Sequence, residues 1–119
     1  MSEGAKFIFD DAKAPFGYVV CLSSRIWKYK ILNFHPEMFR REGDVRLSIE
    51  QPTEIQHNCQ ENRDNFVFWK SFERDPWERF LKVAVALDMQ TRTGFITTAH
   101  PSPRIGNVGR KIWPISDSP

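Results

Sequence analysis

Two histidines, a lysine and a pair of threonines are the residues of this chain whose types could do chemistry together: His35, His100, Lys82 and Thr97-Thr98. Imidazole titrates closest to neutral pH, so it is the side chain best suited to give and take protons there. Lys82 interrupts the apolar run Leu81 to Leu87, and a cation so placed either snorkels at a sheet edge or is aimed at an anion. Thr97 and Thr98 are strand formers first. Adjacent strand positions face opposite ways, so one of the two can turn toward a cleft and hydrogen-bond a phosphate oxygen. Each histidine also has a plainer use. His35 can cap or pack the turn between two helices, and His100 can be a surface residue at a strand end. His57, in a polar stretch, reads as simply solvated.

As a set, these groups suit metal-free cleavage of RNA. That reaction needs a base for the ribose 2′-hydroxyl proton, an acid for the leaving 5′-oxygen, and donors or cations for the charge growing on the phosphorane oxygens. Two imidazoles with Lys and Thr can supply all of these, and the set asks for no cofactor and no metal ligand. Arg92, Arg104, Arg110 and Lys111 add a local excess of positive charge from residue 91 onward, usable against a phosphate backbone. Trp69, Phe68 and Tyr18 are candidates for stacking on an unpaired base, although strand aromatics more often belong to a core. No dinucleotide-binding, P-loop, zinc-protease or serine-hydrolase motif competes with this constellation.

The elements that must position these residues centre on Phe80 to His100. Leu81–Leu87 and Gly94–His100 read as two antiparallel strands joined by the polar connector from Asp88 to Thr93. Val83-Ala84-Val85-Ala86 suits a central strand covered on at least one face. Upstream, Tyr18–Leu22 is a strand, and Ser23-Ser24 offers a helix N-cap. Trp27, Ile31 and Phe34 at i, i+4, i+7 predict one buried helix face opposite Arg25, Lys28 and Lys30. Pro36 ends that helix and opens a second, short one that Gly43 is expected to break. A third helix runs from Asp44 to Gln51, with Val45 and Ile49 inward and Pro52 closing it. Residues 57–65 read as a loop, Phe66–Lys70 as an aromatic strand and residues 71–78 as a turn. Ile105, Val108, Ile112 and Trp113 tether a proline-rich tail. Helices first and a mostly antiparallel sheet after make an α+β domain.

Composition bounds the rest. At 119 residues with 10 Phe and 4 Trp, the chain can bury one real core. The formal net charge of +2 is too small to announce a nucleic-acid binder by itself. Cys21 and Cys59 show neither zinc spacing nor a disulfide framework. Without a signal-like start or a membrane-length apolar run, a soluble cytoplasmic protein is expected, with no membrane partner.

The order of segments resembles the phage-associated group of barnase–EndoU–colicin–RelE-like (BECR) nucleases. The similar pieces are Tyr18-Val19-Val20 leading into a helix, His35-Pro36-Glu37-Met38, then Val45, Ile49, Pro52 and Ile55. They continue with Leu81-Lys82-Val83-Ala84-Val85, Gly94-Phe95-Ile96-Thr97-Thr98-Ala99-His100 and Gly109-Arg110-Lys111-Ile112-Trp113-Pro114. The resemblance implies N-terminal helices packed on a curved, mostly antiparallel sheet, with a cleft on the open face. Residues 1–16 would be an irregular lead-in or edge strand, 17–114 a single nuclease-like domain and 115–119 a frayed tail. It further implies a metal-independent endoribonuclease of the toxin or mobile-element kind, with RNA such as tRNA as substrate and an inhibitor or antitoxin protein as partner. By matching position, His35, Lys82, Thr98 and His100 inherit the catalytic roles. Thr97, Arg92, Arg104, Arg110 and Lys111 are then the substrate-binding set. Where the family commonly has an aromatic after its threonine–alanine pair, this chain has His100, either a gained catalytic group or a substitution. The rival reading is a degenerate fold of the same kind, kept as a non-catalytic RNA- or protein-binding module.

Overall fold

A strand whose alternate residues differ in burial has two different faces, and β5 sets the pattern for the whole molecule. In the computed structural model, which describes residues 6–58, 65–73 and 77–115, β5 spans Phe80–Asp88. Leu81, Val83, Val85 and Leu87 are buried, while Lys82, Ala84 and Ala86 on the other face are partly open. The strand sits in the middle of a seven-stranded sheet ordered β1-β2-β6-β5-β4-β3-β7. The others are β1 (Phe7–Lys13), β2 (Val19–Ser23), β3 (Glu54–Asn58), β4 (Asn65–Ser71), β6 (Thr93–Ser102) and β7 (Arg110–Trp113). Neighbours run antiparallel except β2 and β6, which pair in parallel over Val19–Cys21 and Thr93–Phe95. Residues 7–13 are therefore an edge strand of the sheet, and two strands precede the helices. Among the described residues no helix is long and apolar enough to cross a membrane.

The core lies on the β5 face that carries Leu81 and Val83. Phe66 and Phe68 of β4, Ile55 of β3, Val20 and Leu22 of β2, and Ile96 and Ala99 of β6 join it. A helix, α2 (Glu42–Glu50), contributes Val45 and Ile49 and packs on β1, β4 and β5. Glu42 and Asp44 in its first turn complement the helix dipole. Arg46 ties it to β1 by a 2.7 Å ion pair with Asp11, and that guanidinium lowers the Asp11 carboxyl below its ordinary range. The helix starts ahead of Gly43, so Gly43 does not break the preceding turn. The chain reverses earlier, at Arg40, whose φ of 65° is left-handed.

The segment between β2 and that turn is an unusual helix. Ser23 Oγ accepts from the Ile26 N–H at 3.0 Å, the cap expected of it. The coil then runs as a π-helix, Ile26–Ile31, before a last α turn, Leu32–Phe34; together these are α1. Trp27 and Ile31 are buried as the spacing predicts, but Phe34 is 69% exposed. A π turn holds more residues than an α turn, so each advances by roughly 80° instead of 100° and the i+7 position rotates off the buried face. After α1, Pro36–Met38 forms a single 3₁₀ turn pinned by the fully buried Met38.

The tail covers the part of the open face that carries Trp69. Gly106 lies against the Trp69 ring, Gln56 donates to the Gly106 carbonyl at 2.7 Å and accepts from Val108 N–H at 2.9 Å. β7 then pairs with β3. Trp69 is consequently 2% exposed, and Phe68, turned to the core on the other face, is 1% exposed, so neither ring is free to stack on a base. Gly109 approaches so close to the His57 carbonyl that a β-carbon there meets backbone. Gly109→Ala should destabilise the fold by roughly 2 kcal/mol, as overpacking does, read as a lowered Tm in thermal unfolding. An unchanged Tm would mean that the tail is not held as described. The readings of the 59–64 loop, of Cys59, of the 74–76 turn and of the 116–119 tail lie outside the described residues.

Candidate functional site

β6 reaches the open face by a change of register. Val85 pairs with Ile96 and both point into the core, whereas Ala84 pairs with Thr98. One residue too many, Thr97, is left on β6 between them. This β-bulge inverts the alternation, so Thr98 and His100 emerge on the face that carries Lys82 and Ala84 while Ala99 returns to the core. The Thr97 hydroxyl donates to the Ala84 carbonyl at 3.3 Å, which closes the bulge. Sequence reasoning placed one threonine toward a cleft, and the structure turns Thr98 to the face of Lys82 and His100.

Lys82 projects from the middle strand of the sheet, not from an edge, so snorkelling to a rim does not explain it. Its Nζ stands 5.7 Å above the Trp69 ring, and its cross-strand neighbour is His100. A cation held over an aromatic face on a half-covered sheet has less water around it than a surface lysine, which strengthens its pull on an anion. The small side chain of Ala84 leaves a trough between Thr98 and Val67. That cleft has a volume of about 380 Å³, and Lys30, Asn58, Asn65, Lys82, Thr97 and Thr98 all reach it.

α1 packs on β6 and sets His35 against His100, beside that cleft and not in its lining. The His35 and His100 rings are stacked, with centroids 4.9 Å apart and planes 26° from parallel. His35 makes no side-chain cap to the following turn. The ring positions are fixed from behind. His100 Nδ1 lies 3.0 Å from the Pro101 carbonyl; a carbonyl only accepts, so Nδ1 holds the proton of the neutral ring and Nε2 keeps its lone pair. The Glu37 carboxylate stands 3.7 Å from His35 Nδ1 and forms an ion pair with the ring when that ring is protonated.

The structure therefore brings His35, Lys82, Thr97, Thr98 and His100 to one face. It does not bring the expected cations with them. Arg92 belongs to the opposite end of the β5–β6 hairpin, six residues along the chain from Thr98 and so roughly 20 Å away at ~3.3 Å per residue. Its guanidinium is engaged with the Phe16 carbonyl at 3.0 Å. Lys111 lies on β7, three strands from β5 and so roughly 14 Å across the sheet, with Nζ 3.9 Å from Glu54. Arg110 is exposed opposite His57, and Arg104 is exposed in the turn after β6, its carbonyl accepting from Ser102. His57 stacks on Phe66 instead of standing in solvent.

Reading the sequence missed Lys30, Glu37, Asn58 and Asn65. Lys30 sat on the polar side of a supposed regular helix. Glu37, two residues from His35, carried a signal, because a turn brings i and i+2 side chains close. Asn58 and Asn65 become neighbours only through β3–β4 pairing. Among the described residues no group of His, Cys, Asp and Glu converges as a metal site. Comparison with protein-family models, with curated proteins and with solved structures gave no match.

Two lysines and a threonine around a trough give it the charge and the donors that an anion needs. Millimolar pyrophosphate should raise the wild-type Tm by a few degrees, and the Lys30→Met, Lys82→Met double variant should lose that shift. An equal shift in both proteins would place the anion elsewhere. Cys21, partly buried beside the far end of the hairpin, has its thiol pushed up by desolvation. Little thiolate then exists near neutral pH. Mass spectrometry should show Cys21 alkylated more slowly than an unfolded control, catching up only above the ordinary thiol range near pH 8.5.

Proposed function

We propose that the chain is a metal-independent endoribonuclease whose active site is the stacked pair His35–His100 at the Lys82–Thr98 cleft. The observation that carries this reading is the pairing itself. Two imidazoles 65 positions apart in the sequence stand ring on ring beside a lysine that the core does not need. The segment order shared with BECR nucleases supports it from the sequence side. On this proposal the fold is RelE-like, with the helical segment after β2 packed on a curved sheet.

The chemistry follows from the orientation of each ring. His100, with Nδ1 pinned to the Pro101 carbonyl, takes the ribose 2′-hydroxyl proton on Nε2. The freed O2′ attacks the adjacent phosphorus as the P–O5′ bond breaks, and a 2′,3′-cyclic phosphate forms. His35, charged and facing Glu37, gives its proton to the leaving O5′. Lys82, the Thr98 hydroxyl and Lys30 meet the negative charge that grows on the non-bridging oxygens. Asn58 and Asn65, at the other side of the trough, offer carboxamides to a neighbouring nucleotide. A free ribonuclease of this kind endangers its own cell, so the proposal includes a restraining protein partner, with tRNA as one candidate substrate.

The test is incubation of purified protein with bulk tRNA and a labelled oligonucleotide in EDTA. Fragments ending in 2′,3′-cyclic phosphate are expected. His35→Ala and His100→Ala should each slow cleavage by about 10²–10⁴-fold. Undiminished cleavage in His35→Ala would exclude this mechanism, and salt-sensitive RNA binding without cleavage would favour the non-catalytic module.

A further inference from the structure

Large aromatic side chains standing in water ask for a partner. Phe34 is 69% and Phe39 65% exposed, although Met38 between them is fully buried and holds the turn in place. They bracket His35 in the chain. Tyr29 of the same helix is 63% exposed. Cations already lie over two of these rings: the Arg40 guanidinium is 5.3 Å from the Phe39 centroid and Lys28 Nζ 5.4 Å from that of Tyr29.

The charge of the chain is concentrated on this same segment. From Arg25 to Arg41 there are five basic residues and one acidic, 5 − 1 = +4, against +2 for the whole chain, so all other residues sum to 2 − 4 = −2. Arg41 is bound to Asp44 at 2.8 Å; without it the segment still carries 4 − 1 = +3. Lys30, from this segment, already reaches the trough. A ligand that suits this surface is polyanionic and presents flat π faces to separated rings. An acidic peptide would satisfy the charge but gives no reason for two exposed phenylalanines beside the acid–base pair. A nucleic-acid duplex hides its base faces in its own stack. A single strand satisfies both demands.

We propose that Phe34 and Phe39 form a base-stacking platform that holds unpaired bases of single-stranded RNA next to the phosphate bound at His35 and His100. The proposal rests on the ribonuclease reading for the position of that phosphate, and its test does not depend on cleavage. A fluorescein-labelled, fully 2′-deoxy single strand lacks the attacking hydroxyl and reports binding alone, by anisotropy. Because both rings are exposed, Phe34→Ala, Phe39→Ala should fold normally, as checked by its unchanged Tm. It should bind this probe at least about tenfold more weakly than wild type, since each stacked base is worth about fivefold or more. The Phe34→Tyr, Phe39→Tyr variant should bind within about twofold of wild type. Equal affinity in wild type and the double alanine variant would overturn the platform while leaving the loss of cleavage in His35→Ala to stand or fall separately. Failure of wild type to bind single strands would also overturn it. Binding that needs both rings, in a protein that cleaves no RNA, would keep the platform and remove the ribonuclease reading.

Discussion

Side-chain direction along a strand has a period of two, and one unpaired residue inverts it. Everything distinctive about the open face depends on that single fact at Thr97. With regular pairing onward from Val85 and Ile96, Thr97 would face out opposite Ala84, and Thr98 and His100 would turn into the core. Two polar side chains would then be buried where Ala99 and Pro101 now sit, at a cost of about 1–3 kcal/mol for each unsatisfied group. The bulge avoids that cost, and the Thr97 hydroxyl bonded to the Ala84 carbonyl recovers part of the interrupted ladder. A feature that the core requires therefore also sets His100 beside Lys82.

His35 answers a different constraint. β2 pairs with β6 only as far as Cys21 and Phe95, and α1 follows and packs on β6. Wide π turns occur as local defects in α-helices, often where a side chain is being re-aimed. Here the defect keeps Trp27 and Ile31 inward and leaves Phe34 in water. Pro36 stops the helix directly after His35, whose backbone is then free of helical angles. One imidazole thus comes from a strand paired with β5 on one side and packed by α1, and the other from a helix end anchored by Met38. Both supports are buried, which is what a site needs if its geometry is to survive thermal motion.

The legible part of this protein was the part governed by period and composition. β5 announced itself by its apolar run, and its central place followed. Ser23 as a cap, Pro36 as a helix stop, and Val45 and Ile49 as a buried pair were all readable from local rules. Lys82 stands out because an apolar strand has no use for it, whereas His35, Thr98 and His100 are picked out as a set only by the family resemblance, and the residues alone leave Thr97 and Thr98 open. What could not be read was register. A bulge adds one residue without any compositional mark, and a π turn differs from an α turn by one hydrogen-bond step, so Phe34 was assigned to the core and Lys30 to solvent. The arginines show the opposite error. Arg92 is charged and near the right strand in sequence, but distance along a strand accumulates at ~3.3 Å per residue and carries it away from Thr98 and His100, while Arg110 stands exposed on the outer strand opposite His57.

Trp69 explains why Lys82 can serve at all. A lysine in the middle of a sheet costs desolvation unless something faces it. The indole below offers a π surface to the ammonium, and the open trough above leaves the remaining donors toward solvent or a ligand. The tail, clamped by Gln56 and packed through Gly106, keeps water from the indole while leaving the trough uncovered. Trp69 Nε1 meets no acceptor among the described residues, so this floor is itself bought with an unsatisfied donor. A core selected for stability alone would place an aliphatic residue at 69 and another at 82. The tryptophan instead sets a cation over its π face, one cross-strand position from the stacked imidazoles, and that is the arrangement the proposed phosphate site draws on.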